Sequence, residues 1–116
     1  MPDLAERFEA AVSALVGEGS VKDRLLAAYS EHLDGLETSE LPRELRTTFE
    51  HLHMALHAVE STGGQSCLRA SIRKMSMQHA GNHARTIVSL YAKLLCRGER
   101  AEPLKVVNGR REFIVP

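Results

Sequence analysis

Apolar residues recur at three- and four-residue spacing through most of the chain, which is the period of helices with one buried face. The longest such pattern runs from Ser76 to Cys96, where Ala80, Ala84, Ile87, Tyr91 and Leu94 fall in one sector of a helical wheel. Leu90 lies beside them, and Asn82, Arg85, Ser89 and Lys93 lie opposite. The spacing predicts one long amphipathic helix against which the remaining elements pack.

Four shorter helices are expected ahead of it. Asp3 stands where an N-cap acceptor is needed, and Leu4, Phe8, Ala11, Val12 and Leu15 form a stripe that Gly17 and Gly19 end. Ser20 caps the second helix, with Asp23 in its first turn, and Val21, Leu25, Tyr29, His32 and Leu36 share one face up to a fraying end at Gly35. Leu36 to Leu41 reads as a polar loop with Ser39 as a cap. Pro42 then opens the third helix, because a proline in the first turn loses no intrahelical hydrogen bond. In that helix Leu45, Phe49, Leu52, Leu56 and Val59 step by four, three, four and three before Gly63 and Gly64 stop it. Ser66 opens the fourth, with Leu68, Ile72 and Met75 on one side, and Ser76 both ends it and caps the long helix.

After Gly98 the period changes. The segments 103–107 and 110–115 are alternating and β-branched, and they flank Asn108-Gly109, the preferred pair for a two-residue type I′ hairpin. Leu104, Val106, Phe113 and Val115 fall on one side of that ribbon and are interface candidates, since an isolated hairpin must cover its apolar face on the bundle or on a second copy. The expected architecture is all-α: a compact bundle of about five short amphipathic helices over residues 1–98, followed by a small C-terminal β-hairpin tail over 99–116.

Composition narrows the class without naming a chemistry. A chain of 116 residues, 43% hydrophobic and 26% charged, fits one soluble domain. No apolar run approaches the roughly 20 residues that span a bilayer, and the amino terminus lacks the pattern of a signal peptide, so a cytoplasmic location without a membrane partner is expected. Cys67 and Cys96 are isolated, with no C-x-x-C spacing, and read as reduced packing residues. Only 4% of residues are aromatic and Trp is absent, which leaves few rings on which to stack bases or sugars.

Charge changes the picture more. Residues 1–62 hold twelve acidic and five basic side chains, a net of −7, whereas residues 63–116 hold three and ten, a net of +7. Acidic and basic helices packed side by side in one bundle account for this, as does the meeting of unlike faces between two copies. A phosphate-binding face is the third account. Arg69 and Arg73 lie one helical turn apart, Lys74 adjoins them, and Arg85, Lys93 and Arg97 follow, so these six are the candidates for phosphate contact.

Histidine supplies the remaining candidate chemistry. His53 with His57, and His79 with His83, have the four-residue spacing that sets two imidazoles on one side of a helix, which makes them candidate metal ligands. No carboxylate completes an H-E-x-x-H or E-x-x-H pattern, and solvated or interface histidines are the expected outcome. His32 and His83 lie within or beside apolar stripes, where an imidazole needs a partner or stays neutral. There is no supported Ser, His and acid triplet and no glycine-rich phosphate cradle, so no enzyme and no cofactor is expected. What remains is a small cytoplasmic protein-interaction or regulatory module, self-associating as a homodimer and serving a protein partner the sequence does not identify. A nucleic-acid-associated regulator using the basic half is the second reading, and a metal-binding helical bundle the third.

Overall fold

The computed structural model describes residues 3–61, 63–64 and 66–101. Five α-helices run in the order α1 Leu4–Leu15, α2 Val21–Ala28, α3 Arg43–Leu56, α4 Cys67–Lys74 and α5 Met77–Ala101. A π-helical turn, Tyr29–Leu33, extends α2, and a 3₁₀ turn, Thr38–Glu40, precedes α3. There is no strand among the described residues, and the expected hairpin with Leu104, Val106, Phe113 and Val115 lies outside them. No helix among the described residues is long and apolar enough to cross a membrane.

Helix starts follow local chemistry. Asp3 accepts from the Glu6 amide at 2.9 Å while Glu6 accepts from the Asp3 amide at 3.1 Å, a reciprocal capping box. Ser20, Ser66 and Ser76 each accept from the amide three residues on, at 3.1, 3.1 and 3.0 Å. Gly19, at φ +102°, makes the left-handed turn that leads into the Ser20 cap.

Helix ends depart from the periodic reading, each for a physical reason. The Asp34 amide bonds to the carbonyl of Tyr29, five residues back, at 2.8 Å. That wider turn inserts one residue into the stripe, so Leu33 enters the core where Leu25, Ala28 and Tyr29 already lie, and His32 stays at the rim beside Glu31. The spacing predicts a third helix reaching Val59, but α3 stops at Leu56. The His57 ring donates from Nδ1 to the His53 carbonyl at 2.8 Å, taking the acceptor that the His57 amide would use to continue the helix, and that amide turns to Met54 instead. Val59 then donates its amide to the hydroxyl of Ser71, a buried residue of α4, at 2.9 Å. Ser39 does not cap α3: it lies in the 3₁₀ turn, and Pro42 holds the N-cap position one residue ahead of the helix. The segment 36–41 is not wholly polar loop either, since Leu36 and Leu41 are core residues at its two ends. At the carboxy end α5 passes through Gly98, where the sequence suggests a stop.

The core forms where α5 packs on α1, α2 and α3, with α4 closing the bundle against α2 and α3. Ala80, Ile87 and Leu90 of α5 are buried in it, and Ala84, Tyr91 and Leu94 pack at its edge. Phe8 and Phe49 meet edge to face, 6.4 Å between centroids, and bind α1 to α3. Three arginines of the acidic half hold backbone carbonyls rather than carboxylates. Arg7 donates to His32 and Asp34, Arg24 to Leu15 and Gly19, and Arg46 to Leu41 and Ser39.

Candidate functional site

The six basic candidates do not form one strip. Arg69 and Arg73, on successive turns of α4, line a cleft of about 280 Å³ shared with Ser20, Lys22 and Asp23 of the α2 start. Lys74 faces a different hollow of about 310 Å³, between the end of α3 and the start of α5, together with Ala55, Met75, His79 and His83. Arg85 donates to its own neighbour Asn82 at 2.8 Å. Arg97 pairs with Glu44 of α3, and Lys93 shares a third hollow with that pair and Cys96. The Arg97–Glu44 bridge joins the basic half of the chain to the acidic half.

The histidine pairs are likewise apart. His53 and His57 stack with ring centroids 4.1 Å apart, and both Nδ1 atoms are committed. His53 Nδ1 meets the Tyr29 hydroxyl at 2.8 Å, and His57 Nδ1 donates to the His53 carbonyl. His57 also packs edge-on against the Tyr29 ring, so it is half-buried rather than solvated. Burial lowers the pKa of His53, the neighbouring His57 lowers it further, and Asp34 partly offsets both. His79 and His83 line the hollow beside Lys74, and there burial, then His79, lowers the pKa of His83. Among the described residues no three His, Cys, Asp or Glu side chains converge on a position that could hold a metal ion. Both cysteines are free, Cys67 half-buried and Cys96 exposed, so Cys96 is not a packing residue.

A feature that sequence reasoning missed lies on α5. Met77, Gly81, Ala84, Val88, Tyr91 and Leu95 step by four, three, four, three and four, so that 77, 84 and 91 and likewise 81, 88 and 95 repeat every seven residues, a seam displaced around the helix from the buried stripe. Met77, Val88 and Leu95 are 55%, 43% and 47% exposed. The signal was present in the spacing but was hidden because Ala84 and Tyr91 belong to both stripes. The bundle therefore covers only part of a broad apolar sector.

Comparison with known proteins gives no match: no family model, no curated protein and no solved structure is similar to this chain.

Proposed function

We propose that the protein is a small helical interaction module that forms a homodimer through the outer face of α5. The observation that carries this reading is the exposed heptad seam from Met77 to Leu95, which is the spacing by which one helix packs along another. Gly81 and Ala84 let a second backbone approach closely at one end, and Val88 and Leu95 supply apolar knobs at the other. The seam is about 27 Å long at 1.5 Å per residue. A strip of that length and one helix wide falls at the small end of specific interfaces, so a dissociation constant of micromolar order is expected. A second copy is the favoured occupant because the seam is self-complementary, antiparallel pairing opposes the two helix dipoles, and the formal net charge of zero adds no long-range repulsion between copies.

The unbridged cysteines suit a reducing compartment, and the reading is of a cytoplasmic protein. A nucleic-acid regulator has less support because its six cations are divided among separate places, with Arg85 and Arg97 already engaged. The metal bundle has less still, with both Nδ1 atoms of the His53/His57 pair in use. Sedimentation velocity over a range of concentrations tests the proposal. The wild-type chain should pass from monomer to dimer, and Val88→Lys with Leu95→Lys should remain monomeric with unchanged helical circular dichroism. A monomer at every concentration, or a dimer indifferent to both substitutions, refutes it.

A further inference from the structure

We infer that the cleft between α2 and α4 binds a small phosphate monoester that carries a hydroxyl near its phosphate, with Lys22, Arg69 and Arg73 holding the phosphate and Asp23 taking the hydroxyl. The first observation is what the arginines do elsewhere. Arg7, Arg24 and Arg46 are each spent on two backbone carbonyls, Arg85 on Asn82, and Arg97 on Glu44. Arg43 stands exposed and, among the described residues, alone at the start of α3, so what sets Arg69 and Arg73 apart is that two unengaged arginines share one cleft. Arg69 and Arg73 have exposed guanidiniums with no hydrogen bond or ion pair among the described residues. Standing four residues apart on α4, they present two planar forks to the same cleft, the donor geometry that matches phosphate oxygens.

The opposite wall completes the set. Lys22 is held there by one bond from Nζ to the Arg73 carbonyl at 3.0 Å, which leaves two of its three N–H donors for a ligand. Asp23 lines the same space, yet among the described residues no carboxylate lies within 4.0 Å of either guanidinium to close it. Its amide donates to the Ser20 hydroxyl, and its exposed carboxylate has no hydrogen bond or ion pair among the described residues. Three cations against one carboxylate leave the cleft attractive to a dianion, and the carboxylate adds an acceptor that inorganic phosphate would not use but an adjacent hydroxyl would. Leu26 and Ile72 supply an apolar floor for a short carbon chain. At about 280 Å³ the space is at the lower edge of ligand-sized pockets, which favours a compact ester over a nucleotide. It also favours a single phosphate over a nucleic-acid backbone, since Lys74 lies in a separate hollow and Arg85 is bound to Asn82.

The full-length protein titrated with glycerol 3-phosphate, inorganic phosphate and a short DNA duplex, followed by amide chemical shifts, tests this. Glycerol 3-phosphate should saturate with shifts confined to the first turn of α2 and to α4. The pair Arg69→Ala and Arg73→Ala should weaken it about tenfold or more, while Arg85→Ala leaves it unchanged. Asp23→Asn should remove the preference for the ester over inorganic phosphate without weakening phosphate itself. The inference fails if no saturable shift appears by about 20 mM ester, a concentration well beyond useful affinity. It fails equally if the arginine pair has no effect, if ester and inorganic phosphate bind alike to the wild-type chain, or if the duplex binds more tightly with shifts spread over α4 and α5. The variants are at exposed positions, and circular dichroism confirms their fold before titration.

Discussion

The Tyr29 hydroxyl and Nδ1 of His53 share a hydrogen bond at 2.8 Å, so a phenol only 1% exposed is satisfied by an imidazole that itself stands at the surface. The bond joins the π-helical turn after α2 to the last turn of α3, and with the phenol as donor His53 is the neutral tautomer carrying its proton on Nε2. Removing the imidazole leaves the buried hydroxyl without this partner. His53→Ala should therefore destabilise the fold by about 1–3 kcal/mol, and Tyr29→Phe by less. The double variant should cost clearly less than the two single changes added together, because a phenyl ring in place of the phenol no longer needs a partner. Urea denaturation of the four proteins measures the coupling, and strict additivity would mean that the bond contributes nothing.

The same pair sets an expectation for pH. His53 and His83 both have folded pKa values lowered from 6.5, chiefly by burial, so the unfolded chain binds their protons more readily than the folded one. Stability from these groups is complete above 6.5 and is lost as pH falls below it. Tyr29 acts at the other end: burial, then the charge of Asp34, pushes its pKa up to about 12 from 10.0. The folded state favours the neutral phenol, so this contribution is present below pH 10 and is lost as pH rises through 12; two pH units correspond to about 2–3 kcal/mol. Melting temperatures should decline on both flanks, with the alkaline decline reduced in Tyr29→Phe. Absorbance of the ionised phenol should show Tyr29 titrating about two units late.

Helix starts were legible in the sequence because they depend on neighbours three residues apart. Asp3, Ser20, Ser66 and Ser76 each cap the helix they precede. The misplaced ends of the second and third helices depend on less regular events. A π-turn at Tyr29 substitutes Leu33 for His32 in the core, and a histidine ring competes with its own amide at His57. A period-based reading assumes one acceptor per amide and a constant turn width, and it cannot see either. The cleft was half legible: the four-residue spacing of Arg69 and Arg73 marks one wall, but Lys22 reaches it from α2, far upstream in the chain, and only packing brings them together.

The buried and exposed sides of α5 give a direct test of which stripe holds the bundle. Ile87 is 0% exposed, whereas Arg85 is exposed and, among the described residues, bonds only to Asn82. Ile87→Asp should place an unpaired carboxylate in the core at a cost of several kcal/mol, comparable with the roughly 5–15 kcal/mol that stabilises a domain. Arg85→Asp should change the melting temperature little. Equal loss of helical circular dichroism in both variants would mean that α5 is docked by a different face.

The last prediction separates charge from geometry in the arginines of the acidic half. Arg24 donates from Nη1 to the Leu15 carbonyl at 2.8 Å and from Nε to the Gly19 carbonyl at 3.1 Å. It thus holds the last residue of α1 and the turn beyond it to α2. A helix carboxy end also attracts any cation through its dipole, at a few tenths to about 1 kcal/mol when exposed. Arg24→Ala loses both effects and should cost about 1.5–3 kcal/mol, the range for hydrogen bonds to a charged group. Arg24→Lys keeps the charge but has a single point donor that cannot span two carbonyls in a fixed fork. If geometry dominates, the lysine variant should resemble alanine in urea denaturation; if the dipole dominates, it should resemble the wild type. Because Arg69 holds no such carbonyl among the described residues, Arg69→Ala should leave stability within about 0.5 kcal/mol, as expected for an exposed side chain free to serve a ligand.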